Sequence, residues 1–217
     1  MVFWKTGGSA PDLDFAPAAF CQYCETTTTA RQAFNRPGVT VGKWQSQYRY
    51  VCVTCGHEVT PAQTPAETVI DFDVPATPIR ARDRRLAAGT MARIHAGVGR
   101  HPDAAGLLVP VDYNKKPDSK RARPISDVLA TQTARLTTGL FRPPDGHPTF
   151  AAGGPLAVQD CSFRMLEPIE VGRGMAFPDD YRMAGSRRAR TRLYGNACVP
   201  PVMEQILGRV IRTLQPA

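Results

Sequence analysis

The sequence predicts an α+β protein: a small cysteine-bounded unit, a mostly β region with short helices, and an amphipathic C-terminal helix. Three observations predict it. The 217 residues include 20 prolines and 18 glycines, which favour many turns over long helices. Four of the six cysteines stand in two tight pairs, at 21/24 and 52/55. One clear helical period occurs, close to the end of the chain.

Taken in order, residues 2–4, VFW, have the composition of a strand that must pair with something distant. Residues 21–59 form a compact unit in which aromatics and a Pro-Gly turn between the cysteine pairs suit a hairpin. TVIDFDV (68–74) alternates well enough for a strand and leads into the loop PATPIRARDRR. A helix is expected from Thr90 as N-cap, with Met91, Ile94 and Val98 on one face. GLLVPVDY (106–113) reads as a strand, 114–124 as a charged loop, and 125–158 as short strands and turns. A short helix should open at Glu167-Pro168, with proline at its first position. The last helix is expected from about Pro201 to Leu214. There Val202, Met203, Ile206, Leu207, Val210, Ile211 and Leu214 follow the i, i+3, i+4 spacing of one face.

Composition narrows the function classes. Lysine and arginine number 27 against 19 acidic residues, a formal charge of +8, which suits a polyanionic partner. No apolar run approaches the roughly 20 residues that span a bilayer. The opening MVFWKTGGSA has neither the apolar core nor the cleavage site of a signal peptide, so a cytoplasmic, non-membrane protein is expected.

The cysteines carry the sharpest chemistry. Cys21 and Cys24 in CQYC, with Cys52 and Cys55 in CVTC, offer two thiolates per turn, and two such pairs complete a tetrahedral four-sulfur site. Zinc suits that set without redox chemistry. The set is closed, so its role is structural, and Gly56 fits the tight turn after the second pair. Cys161 and Cys198 are expected as buried, small apolar residues. FCQYC contains a Cys-Gln, but Phe20 precedes it and Cys21 is committed to the metal, so it is not a nucleophile. The four histidines are scattered, with none at ligand or catalytic spacing.

Two further stretches resemble a known family. FRMLEPIEVGRGMAFPDDYRMAG (163–185), followed by RTRLYGNACVPPVMEQILGRVI (190–211), is similar to the last two shared motifs of cytosine-5 DNA methyltransferases. The family's Phe-Pro-x-x-Tyr turn after a helix appears as Phe177-Pro178-Asp179-Asp180-Tyr181, and its Gly-Asn as Gly195-Asn196. RARPISDVLATQTARLTTGLF (121–141) resembles the recognition segment, and the cysteine insertion with VIDFDVP resembles a bacterial and phage branch. The resemblance covers nearly the whole chain but corresponds to the family's C-terminal half. The cofactor glycine loop, the Pro-Cys-Gln nucleophile, the Glu-Asn-Val acid and the Gln-Arg-Arg-x-Arg motif have no counterpart in the sequence.

The resemblance therefore implies a division of labour. Residues 1–20 would close a catalytic-domain strand and linker, 21–60 form a zinc ribbon, 61–160 recognise the target, and 161–217 carry the C-terminal motifs and a helix that docks on a Rossmann-like cofactor domain. Arg121, Arg123, Thr131, Thr133 and Arg135 would meet duplex DNA, with Lys115, Lys116, Lys120 and the SRRARTR cluster (186–192) as additional basic loops. Gly195, Asn196 and Ala197 would line one wall of an S-adenosylmethionine site whose N-terminal catalytic motifs either come from a separate chain, as in a split enzyme, or are missing because the gene is truncated. A zinc-ribbon DNA-binding protein without catalysis is the alternative.

Overall fold

The computed structural model describes residues 10–111, 121–132, 134–152 and 156–214. The strand expected at 2–4 and the residues Lys115, Lys116, Lys120 and Thr133 lie outside them. The fold mixes helix and sheet, in two compact units: one takes Met1–Gln63 with Glu204–Ala217, the other Thr64–Met203.

The first unit is built on a four-stranded antiparallel sheet in sequential order: β1 (Ala18–Cys21), β2 (Thr26–Phe34), β3 (Tyr48–Cys52) and β4 (Glu58–Val59). Alanines and cysteines, not large aliphatics, fill its interior: Ala19, Cys21, Ala30 and Cys52 pack with Val59. The expected hairpin between the cysteine pairs is β2–β3, in which Ala30 faces Cys52 and Phe34 faces Tyr48. From Glu204 onward α4 (Pro200–Leu214) belongs to this unit, and its Arg209 reaches the carbonyl of Asp12 at 2.9 Å and the ring of Phe15 at 4.7 Å. The helix starts one residue before its expected first residue. Its apolar face is wider than its neighbours cover: Met203, Ile206 and Val210 are half-buried, while Val202, Leu207 and Ile211 are about half exposed.

The second unit holds a five-stranded antiparallel sheet of order β5-β9-β8-β6-β7. Its strands are β5 (Thr77–Pro78), β6 (Leu107–Pro110), β7 (Arg123–Pro124), β8 (Thr138–Arg142) and β9 (Ser162–Met165). The continuous apolar run Leu107-Leu108-Val109 is the mark of a strand buried on both faces. Leu107, Val109, Phe141 and Phe163 point into a core that includes Ile94 of α1 (Ala88–Arg100). Leu108 and Leu140 point the other way, into a core shared with Val171 of α2 (Pro168–Gly174) and Tyr194 of α3 (Arg187–Asn196).

Four expectations are corrected here. Residues 69–74 do not form a strand. Asp71 bends the chain, because its carboxylate accepts the backbone N–H of Asp73 at 3.1 Å while its own N–H is taken by Glu170. Helix α1 begins at Ala88 with Ala87 as N-cap, so Thr90 is a buried residue of the first turn; the face of Met91, Ile94 and Val98 is as expected. The SRRARTR cluster is not a loop but most of α3, with Ser186 as N-cap accepting the Ala189 N–H at 3.2 Å. Arginine is a good helix former, and charge density hid that pattern in the sequence. Thr131 lies in irregular chain rather than a strand, since the run from 129 to 132 carries no ladder pairing. Among the described residues no helix is long and apolar enough to cross a membrane.

Candidate functional site

The sequence-predicted metal ligands come together. Cys21 ends β1 and Cys52 ends β3, so both turns, 21–24 and 52–55, lie at the same end of the sheet. The Sγ atoms of Cys21, Cys24, Cys52 and Cys55 all lie within 4.8 Å of one another, with Cys21 and Cys55 at 3.5 Å. Zinc–sulfur bonds of about 2.3 Å set tetrahedral sulfurs roughly 3.8 Å apart, so the donor set fits the ion with little adjustment. Each turn closes on a residue with positive φ: Gly56 at +75°, as the sequence suggested, and Glu25 at +52°, which it did not. In the second turn the Gly56 N–H donates to the Cys52 carbonyl at 3.0 Å, and the Cys52 N–H to the His57 carbonyl at 2.8 Å.

The thiols are electrostatically divided. Hydrogen bonding with Cys55, and then burial, push Cys24 up to about 12. The backbone N–H of Cys55, above all, draws Cys52 down to about 6. Four sulfurs this close cannot all ionise without a cation between them, because each thiolate penalises the next. Cys21 and Cys52 are buried and Cys24 and Cys55 partly so, and four sulfurs would fill the coordination positions of a tetrahedral ion, leaving none for substrate.

In the second unit the motif residues are arranged around α2 and α3. Glu167 is the N-cap of α2, and Glu170, three residues on, completes a capping box; Pro168 sits at the first helical position as expected. Phe177 N–H donates to the Gly172 carbonyl at 3.0 Å, and the Pro178–Tyr181 turn closes with a Tyr181 N–H bond of 3.1 Å. The Phe177 ring packs on Tyr181 and edge-on to Tyr194, so the Phe-Pro-x-x-Tyr turn clamps α2 to α3. Beneath this, Arg164 and Glu170 form a buried ion pair that the sequence reading missed. The capping-box spacing of Glu167 and Glu170 was the available signal.

Gly195 and Asn196 are the last residues of α3, and Ala197 is its C-cap. Asn196 and Cys198 are exposed, and Gly195 and Ala197 half-buried, so this strip is an open edge, one wall without an enclosure. Cys198 is thus not the buried residue expected, because it stands in the short α3–α4 connection. Cys161 is buried as expected, and burial pushes its thiol up to about 11. Of the expected DNA contacts, Arg123 is exposed in β7, and Arg121, Thr131 and Arg135 are exposed in irregular chain nearby.

The family model for C-5 cytosine-specific DNA methylase matches residues 42–212, most of the chain. The chain belongs to the C-5 cytosine-specific DNA methylase family. Membership implies DNA as substrate and S-adenosylmethionine as methyl donor. No curated protein and no solved structure matches the chain. The methylase match includes α2, the clamping turn, α3 and nearly all of α4.

Proposed function

We infer that this chain is the DNA-recognition and C-terminal portion of a cytosine-5 DNA methyltransferase of bacterial or phage type. It acts in a reducing compartment such as the cytoplasm, and it works with a second polypeptide that carries the nucleophile half. Zinc held by Cys21, Cys24, Cys52 and Cys55 has a structural role. Arg121, Arg123, Thr131, Thr133 and Arg135 grip duplex DNA, while Gly195, Asn196 and Ala197 form one wall of the S-adenosylmethionine site. Bound there, that cofactor supplies the methyl group for C5 of an extruded cytosine.

The observation that carries the reading is the state of the six cysteines within a family that attacks cytosine with one. Four converge on one point, Cys161 is buried with its thiol pushed up, and Cys198 follows Ala197 and not the proline of a Pro-Cys-Gln loop. A thiolate nucleophile must be both ionised and reachable, and no cysteine here stands in the family's nucleophile loop. Leu207 and Ile211, one turn apart on the same flank of α4 and each about half exposed, support a docking role, since adjacent exposed apolar residues are a contact surface.

The test is reconstitution. The purified chain alone should transfer no labelled methyl group from S-adenosylmethionine to duplex DNA, and addition of a chain carrying the Pro-Cys-Gln half should restore transfer. Leu207→Asp with Ile211→Asp should abolish the complex and leave the circular dichroism spectrum unchanged, because both side chains already face water. Methyl transfer by the single chain would overturn the reading. A chain that binds DNA yet never supports transfer would instead be the non-catalytic zinc-ribbon protein.

A further inference from the structure

One face of the β2–β3 hairpin carries a row of aromatic rings. Gln32 and Phe34 on β2 stand opposite Tyr50 and Tyr48 on β3, so all four side chains share a face. The chain between the strands folds back on them: Trp44 bridges to Tyr48, the Lys43 N–H is held by the Gln47 side chain at 2.7 Å, and Asn35 Nδ2 donates to the Ser46 carbonyl at 3.1 Å. This sets the Trp44 ring 6.1 Å from Tyr50, Tyr50 5.5 Å from Tyr48, and Tyr48 5.1 Å from Phe34. All four rings are half-buried; they share the face of Ala30 and Cys52, against which Tyr50 packs, and continue that face towards the connecting loop.

The stretch of chain that carries it is basic. Between Glu25 and Glu58 there is no acidic residue, while Arg31, Arg36, Lys43 and Arg49 all fall there. Arg49 is occupied by Glu58 at 3.2 Å, on the opposite face. Arg36 and Lys43 follow Phe34 and precede Trp44, at the two ends of the loop that brings the rings together. Asn35, Gln45 and Gln47 add amide groups that both donate and accept. Stacking faces, cations and amides are elements that bind unpaired nucleobases on a phosphate backbone.

We propose that the aromatic face of this hairpin (Phe34, Trp44, Tyr48 and Tyr50, flanked by Arg36 and Lys43) is a second nucleic-acid site, which stacks unpaired bases of single-stranded DNA. It is distinct from the duplex-binding residues of the proposed function and relies on that reading only for the choice of DNA as ligand.

The probe is a fluorescein-labelled 15-mer of deoxythymidine, titrated with the full metal-loaded chain and followed by anisotropy and by indole fluorescence. Binding should quench Trp44. Trp44→Ala and Tyr48→Leu should each weaken it about tenfold, the usual effect of losing one stacking ring. Arg36→Glu with Lys43→Glu should also weaken it and flatten its salt dependence. Arg123→Glu with Arg135→Glu should leave this binding intact while reducing duplex affinity, so the two readings fail separately. Unchanged oligonucleotide affinity in Trp44→Ala and Tyr48→Leu proteins that retain their metal would overturn the proposal. So would equal quenching by polyglutamate, which would assign the face to an acidic protein.

Discussion

The two terminal nitrogens of Arg164 lie 2.6 and 2.8 Å from the two carboxylate oxygens of Glu170, a two-point ion pair with Glu170 fully buried and Arg164 nearly so. The same groups hold a distant part of the chain, for Arg164 donates to the Asp71 carbonyl at 2.7 Å and Glu170 accepts the Asp71 N–H at 2.8 Å. Glu170 also accepts the Glu167 N–H, closing the first turn of α2. β9, α2 and the bend at Asp71 thus meet on a single carboxylate.

Removing one partner of such a pair strands a buried charge. Glu170→Gln should therefore cost about 3–5 kcal/mol, read as a lower urea midpoint. The double change Arg164→Met with Glu170→Met should recover only part of that loss. Two backbone N–H groups would still lack an acceptor, at roughly 1–3 kcal/mol each. A wild-type midpoint for Glu170→Gln would show that the hub is not structural.

Gly172 marks a close approach of α2 to α3. A Cβ there would stand 2.6 Å from Cζ of Tyr194, a buried ring that cannot move aside. Gly172→Ala should destabilise the second unit by about 1–3 kcal/mol through overpacking, despite alanine's better helix propensity. An increase in thermal midpoint would contradict the packing of α2 on α3.

Metal analysis of protein purified under reducing conditions should give one zinc per chain. Cys52→Ser should release it and raise amide exchange across β2 and β3 while exchange in β8 and β9 stays slow. Mild acid should do the same, because protons compete with the ion for thiolate sulfur. Metal-free protein with an intact β2–β3 exchange pattern would show that the alanine-and-cysteine core suffices alone.

Duplex DNA binding should lose affinity as salt rises, in a linear log–log relation, since each neutralised phosphate releases condensed counterions. Arg123→Glu with Arg135→Glu should weaken binding and make the slope shallower. If the slope and affinity are both unchanged, the duplex contact lies on other residues.

Local chemistry was legible without a structure. The Cys-x-x-Cys spacing, the Glu-Pro helix start and the apolar period of α4 depend on near neighbours, because turns, caps and helix faces are set within a few residues. The hairpin between the cysteine pairs was legible for the same reason. The family motifs at 177–181 and 195–196 were also readable, as contiguous strings.

Tertiary structure decided what depends on distant partners. Alternation at 68–74 suggested a strand, yet Glu170 and Arg164 captured the backbone of Asp71 and made it a bend, an interaction spanning more than ninety positions in the chain. Only the fold shows that Val202, Leu207 and Ile211 stay in water while Met203, Ile206 and Val210 do not, since periodicity defines a face but not its cover. The sequence alone made Cys21, Cys24, Cys52 and Cys55 a plausible ligand set. Pairing of β1 with β2 and of β2 with β3 brought their sulfurs within reach of one ion, because strand register, a long-range property, sets where the two turns meet.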